Sequence, residues 1–77
     1  MKEFVEYIVH KIVKNKDAVT VTEHIDGKNI EIRINVSPED MGIVIGKGGN
    51  IIKSIRALVR AKAIKDGVRV SIELTEP

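Results

Sequence analysis

The 77-residue chain has no cysteine, no tryptophan, two prolines, one phenylalanine, one tyrosine and two leucines. Without cysteine there is no disulfide staple, no thiolate metal site and no cysteine nucleophile, and the redox compartment is left open. With Phe4 and Tyr7 as the only aromatic side chains, both near the N-terminus, the stacking platforms on which several nucleic-acid folds hold bases are missing. No apolar run approaches the roughly 20 residues that span a bilayer. Met1-Lys2-Glu3-Phe4 leads directly into an amphipathic pattern and not into a signal peptide's apolar segment, so a soluble, unprocessed, cytoplasmic protein is expected. The shortage of leucine is matched by 13 isoleucines and 10 valines; a core of β-branched side chains follows, which disfavours a helical bundle. At 43% hydrophobic and 31% charged, the chain lies outside the disordered regime and is long enough for one small domain, residues 1–77.

Between Phe4 and Val13 the apolar residues fall at 4, 5, 8, 9, 12 and 13, the stripe of an amphipathic helix. After the turn formers Asn15-Lys16-Asp17, Val19, Val21 and Ile25 alternate with Thr20, Thr22 and His24 as in a half-buried strand. Asp26-Gly27 signals a tight hairpin, and beyond it Ile30, Ile32, Ile34 and Val36 alternate with Glu31, Arg33 and Asn35. Ser37-Pro38-Glu39-Asp40 reads as a helix start, with Ser at the N-cap, Pro at the first position and two acids against the positive end of the dipole. Gly46-Lys47-Gly48-Gly49 interrupts that helix. A second helix then runs from Asn50 to Asp66-Gly67, with Ile52, Ile55, Val59 and Ala63, flanked by Ile51 and Leu58, as its buried face. Val68, Val70, Ile72 and Leu74 mark a last strand. The order αββααβ, with one polar face on every strand, predicts an α+β two-layer sandwich: helices on one side of the sheet and water on the other.

Acid is absent from residues 42–65, which contain Lys47, Lys53, Arg56, Arg60, Lys62 and Lys65, a local charge of +6; the rest of the chain sums to −4. At 100° per residue, Lys53, Arg56 and Arg60 share one narrow helical face, and Lys47 precedes it in the glycine loop. A solvated surface ordinarily mixes both signs, so a single-sign strip beginning at a glycine loop points to a polyanion, although Lys and Arg on a helix face are in themselves commonplace.

Glycines at 46, 48 and 49 before a helix N-terminus leave backbone N–H groups uncovered and suit a phosphate. The loop is not a Walker A cradle: three residues, not four, separate Gly42 from Gly46, and Gly48 stands where Ser or Thr must follow the lysine. Nor is it a dinucleotide fingerprint, because the glycines lie between two helices. A tight turn needs one glycine with positive φ; two flanking Lys47-Gly48 also let another backbone approach closely.

Ile45-Gly46-Lys47-Gly48-Gly49-Asn50-Ile51-Ile52, followed by Ile55, resembles the I-G-x-x-G-x-x-I signature of the KH domain. The order αββααβ resembles the type II arrangement, with a mixed three-stranded sheet. Phe4-Val5-Glu6-Tyr7-Ile8-Val9 and Ser37-Pro38-Glu39-Asp40-Met41-Gly42 are similar to segments of the small stand-alone KH proteins of bacteria. The resemblance implies binding of about four nucleotides of single-stranded RNA. Gly46, Lys47, Gly48 and Gly49 would be the clamp; Gly42, Ile43, Ile45, Asn50, Ile51, Lys53 and Ser54 would form the groove wall, with Arg56 and Arg60 on the basic strip. It implies a post-transcriptional regulator or RNA chaperone that pairs with itself or with a larger KH-containing protein. Ile43 and Asn50 stand where close relatives usually carry basic residues, which implies a smaller electrostatic share of affinity. No cofactor, metal or membrane is expected.

Other readings have less to stand on. His10 and His24 have no metal-ligand spacing, and Glu39-Asp40 are cap and dipole residues, so no catalytic set is found. The helix 50–65 could serve a protein-interaction or dimerisation module, or a membrane surface, but its apolar side is Ile, Val and Ala and lacks the Trp, Phe and Leu of membrane-surface helices.

Overall fold

A computed structural model describes residues 1–75. Its order is α1 (Lys2–Ile12), a 3₁₀ turn (Lys16–Ala18), β1 (Thr20–Asp26), β2 (Asn29–Asn35), α2 (Pro38–Ile45), a second 3₁₀ turn (Lys47–Gly49), α3 (Asn50–Asp66) and β3 (Arg69–Thr75). β2 is central, antiparallel to β1 and parallel to β3. This is the α+β sandwich with a mixed three-stranded sheet that the order αββααβ predicts, and it matches the type II KH arrangement. The parallel pair requires a crossover, which α2, the glycine loop and α3 supply.

All three helices cover one face of the sheet, with α1 against β1 and α3 against β3. The fully covered apolar side chains are Val5, Val9, Val13, Val21, Ile32, Ile34, Val36, Val44, Ile52, Ile55 and Val59, closed at the end of α3 by Ala63. Neither leucine belongs to this set: Leu74 is partly buried against it and Leu58 is exposed. On the other face Thr22, Arg33 and Glu73 form one cross-strand row and His24, Glu31 and Ser71 the next. Arg33 and Glu73 pair at 3.5 Å. This face is a shallow polar depression carrying both signs of charge.

Four features depart from the linear reading. The hairpin loop is Gly27-Lys28, flanked by an Asp26–Asn29 pair, one residue beyond the Asp-Gly dipeptide. Ile25, paired with Ile30 beside that loop, is exposed because the strand end overhangs the helix layer. Ile51 and Leu58 are also exposed: the buried stripe of α3 is limited to Ile52, Ile55, Val59 and Ala63, and the flanking residues project past it.

The fourth departure is Asp40. Instead of facing solvent at a helix start, it is fully buried and accepts hydrogen bonds from the backbone N–H groups of Lys14 (3.2 Å) and Asn15 (2.9 Å) and from the Ser37 hydroxyl (3.1 Å). Ser37 is still the N-cap residue, but its side chain serves this carboxylate and not the helix backbone. Asp40 thereby ties the exit of α1 to the entry of α2. The Asn15 N–H above all, with the Lys14 N–H, the Ser37 hydroxyl and the Lys14 charge, holds its carboxyl below the usual range against the opposing effect of burial. At the far end of α1, Glu23 on β1 accepts the Lys2 N–H at 3.0 Å and lies 3.7 Å from the terminal ammonium, an anion at a helix N-terminus.

Candidate nucleic-acid interface

α2 ends where Gly46 leaves helical geometry, at φ 76° and ψ 173°, and donates its N–H to the Gly42 carbonyl at 2.9 Å. Gly48 (φ 65°, ψ 18°) and Gly49 (φ 76°, ψ 15°) are left-handed. All three loop glycines are therefore demanded by the backbone, which corrects the expectation that one would serve. Gly46 carries a further demand: a β-carbon there would lie 2.5 Å from Ile51 Cγ1, whereas at Gly48 and Gly49 it would meet open space. The loop is thus packed on its inner side and bare on its outer side.

Besides the Gly46 N–H, the Gly49 N–H bonds back, to the Gly46 carbonyl at 3.1 Å; those of Lys47 and Gly48 meet no backbone acceptor among the described residues. They open the helical run into α3, so two unpaired donors, the positive end of a 17-residue helix and the exposed Lys47 side chain coincide. That combination holds an anion without covering it.

α3 then divides the remaining candidates between its two sides. Arg56 and Arg60 line a depression of about 320 Å³ with Val70, Ser71 and Ile72 of the edge strand β3. Arg56 Nη2 donates to the Ile72 carbonyl at 3.4 Å, which leans the basic strip against the sheet edge. Lys53, exposed, lies one turn before Arg56 on this side. Ile51 is turned about 140° around the axis from Arg56. With Leu58, one heptad further on, and Ser54, whose hydroxyl donates to the Asn50 carbonyl at 2.9 Å, it lies exposed on the side of α3 away from the arginines. Gly42 and Ile45 are exposed on the last turn of α2, Ile43 is half-buried there, and Asn50 is exposed at the start of α3. The loop and the arginines thus share one path, while Ile51 and Ser54 flank it from the other side of α3.

Val70, Ser71 and Ile72 are the residues that the sequence reading missed. The strand pattern places them in β3, but only the crossover brings that edge against α3. Among the described residues, no three acidic or histidine side chains gather as a metal ion would require.

A KH-domain family model for KhpA and KhpB matches residues 2–74. The chain belongs to this KH-domain family. The RNA-binding protein KhpA of Clostridium perfringens (strain 13 / Type A) is 46% identical over 74 residues, which cover 96% of this chain and 99% of that protein. The RNA-binding protein KhpA of Caldanaerobacter subterraneus subsp. tengcongensis is 47% identical with the same coverage. That of Halalkalibacterium halodurans is 42% identical over 76 residues, 99% of this chain and 100% of that protein. The KhpA/KhpB family is one of KH domains and not an enzyme family. No helix among the described residues is long and apolar enough to cross a membrane.

Proposed function

We propose that this chain is a single KH domain that binds single-stranded RNA in the cytoplasm as a post-transcriptional regulator or RNA chaperone. The carrying observation is the continuity of the bare loop with the arginine-lined groove. A phosphate rests on the Lys47 and Gly48 N–H groups, Lys47 and Lys53 neutralise its neighbours, and bases lie between Arg56, Arg60 and the aliphatic edge formed by Val70 and Ile72. The site spans about four nucleotides, as KH domains do. The polar sheet face, with Glu31 and Glu73 exposed, is a poor surface for a polyanion. Three close relatives carry RNA-binding names, which supports the same ligand class here.

The test is the double variant Lys47→Asp/Gly48→Asp, followed by fluorescence anisotropy with random-sequence single-stranded RNA. Two carboxylates at this helix N-terminus agree with its dipole and repel phosphate, so binding should vanish; at Gly48 the new side chain meets open space but sits at φ 65°, a cost of about 1–2 kcal/mol that lowers the unfolding midpoint while the circular dichroism spectrum stays that of the parent. Parent-like affinity would remove the loop from the site. A parent protein that prefers duplex RNA would reject the reading itself.

A second element of the proposal is pairing, with another copy or with a larger KH-containing chain. Ile51 and Leu58, both exposed, form an apolar stripe on the side of α3 that the RNA path does not use. Such a stripe provides cover for a partner without displacing RNA from the groove.

A further inference from the structure

The basic strip does not end with α3. α3 and β3 run side by side in opposite directions, with Arg56 beside Ile72 and Arg60 in the same groove as Val70, so the path that starts at Lys47 arrives at the beginning of β3. Two exposed cations from remote parts of the chain meet there: Arg69, the first residue of β3, and Lys28 in the β1–β2 hairpin loop. The Arg69 N–H donates to the Lys28 carbonyl at 2.8 Å, and Arg69 pairs in register with Asn29, so the hairpin loop is fixed to the start of β3.

Neither cation forms an ion pair among the described residues. Of the nearest acids, Asp66 is engaged by Lys62 at 3.3 Å, Asp26 precedes Lys28 by two residues across the turn and lies two strand spacings, about 10 Å, from Arg69, and Glu31 stands one row from Arg69 on the neighbouring strand β2; none of the three is within ion-pair distance of either cation. Arg69 alternates to the same face as Ser71. That is the polar face of the sheet, which meets the groove at the open flank of the edge strand β3: Ser71 lines both, and Arg69 is one row further along the same flank.

We infer that Lys28 and Arg69 form a second phosphate-contact site, through which single-stranded RNA longer than the four-nucleotide core continues off the groove toward the hairpin. The inference rests on the RNA-binding reading above. Counted along the chain, both residues fall in the net acidic remainder; folding carries them to the end of a track that runs Lys47, Lys53, Arg56, Arg60, Arg69, Lys28.

The experiment compares random-sequence single-stranded RNA four and ten nucleotides long across a salt series, with the parent, with Lys28→Ala/Arg69→Ala, and with the charge-keeping Lys28→Arg/Arg69→Lys. For the parent, the slope of log K against log salt should be steeper for the ten-mer by up to about 1.4, at ~0.7 per phosphate contacted. The alanine pair should remove that difference and leave four-mer binding unchanged, and the charge-keeping pair should retain it. A parent whose two slopes coincide, or an alanine pair that keeps the steeper ten-mer slope, overturns this site alone. Absence of binding to either RNA by the parent overturns it together with the RNA reading. Loss of ten-mer binding in the charge-keeping pair as well places the effect in the hairpin fold and also overturns it.

Discussion

Gly46 and Asp40 act through geometry that their neighbours in sequence do not reveal. At Gly46, positive φ and a β-carbon 2.5 Å from Ile51 coincide, so Gly46→Ala combines backbone strain with overpacking; we expect a loss of about 2–4 kcal/mol in denaturant unfolding. Gly49→Ala keeps open space around its β-carbon and should cost about 1–2 kcal/mol from φ alone. Equal losses at the two sites would mean that Ile51 moves aside freely. The glycines themselves are legible from the sequence, since they punctuate two helical patterns, but which of them is packed and which is bare is not, because that depends on where Ile51 turns. Asp40 is hidden for the same reason: its partners Lys14 and Asn15 lie 26 and 25 residues away. Its folded carboxyl titrates below its unfolded one, so the stabilisation is complete above the unfolded value near 3.9 and is lost as pH falls through the lower folded value. Asp40→Asn should therefore be less stable than the parent at neutral pH, and the gap between their unfolding midpoints should narrow as pH falls below about 4. A gap constant from pH 7 to pH 2 would show that this carboxylate does not draw its stability from ionisation.

α3 shows what periodicity can and cannot read. The 3.6-residue stripe of Ile52, Ile55, Val59 and Ala63 identifies the buried face, and all four are buried. The width of that face is another matter: Ile51 and Leu58 border the stripe and are as apolar as its members, but the helix layer does not reach over them. The basic side was legible as a strip and not as a groove. Its second wall is β3, which joins α3 only because a parallel pairing with β2 returns the chain alongside it. The alternation of β2, Ile30, Ile32 and Ile34 against Glu31 and Arg33, is the clearest strand signal in the chain and fixed its register against both neighbours. By contrast, the hairpin loop fell one residue beyond the Asp-Gly signal, because the Asp26–Asn29 pair extends the ladder and leaves Gly27-Lys28 to turn. That shift puts a lysine at the loop, where it meets the start of β3.

A fold of this size with an aliphatic groove has a limit on affinity. In the proposed binding mode the bases would meet Val70 and Ile72 where other single-strand binders offer aromatic rings, so each base should contribute at or below the lower end of the usual ~1–3 kcal/mol. Joining two such sites raises avidity by roughly 10²–10⁴ when one RNA reaches both. The two sides of α3 are arranged to allow this, since the apolar stripe of Ile51 and Leu58 is turned away from the arginines, and a partner seated there leaves the groove open. Ile51 also packs against Gly46, so a change there would disturb the loop; Leu58, half exposed and further along the helix, separates the two effects. We expect sedimentation equilibrium to show self-association of the parent and a monomer for Leu58→Asp. The variant should bind a four-nucleotide RNA as the parent does, and an RNA long enough to bridge two sites about 100-fold less tightly. A parent that stays monomeric at high concentration refutes self-pairing and leaves a larger KH chain as the partner. A Leu58→Asp protein that remains dimeric places the contact on another surface, and equal loss for short and long RNA would put Leu58 in the binding path and not in the interface.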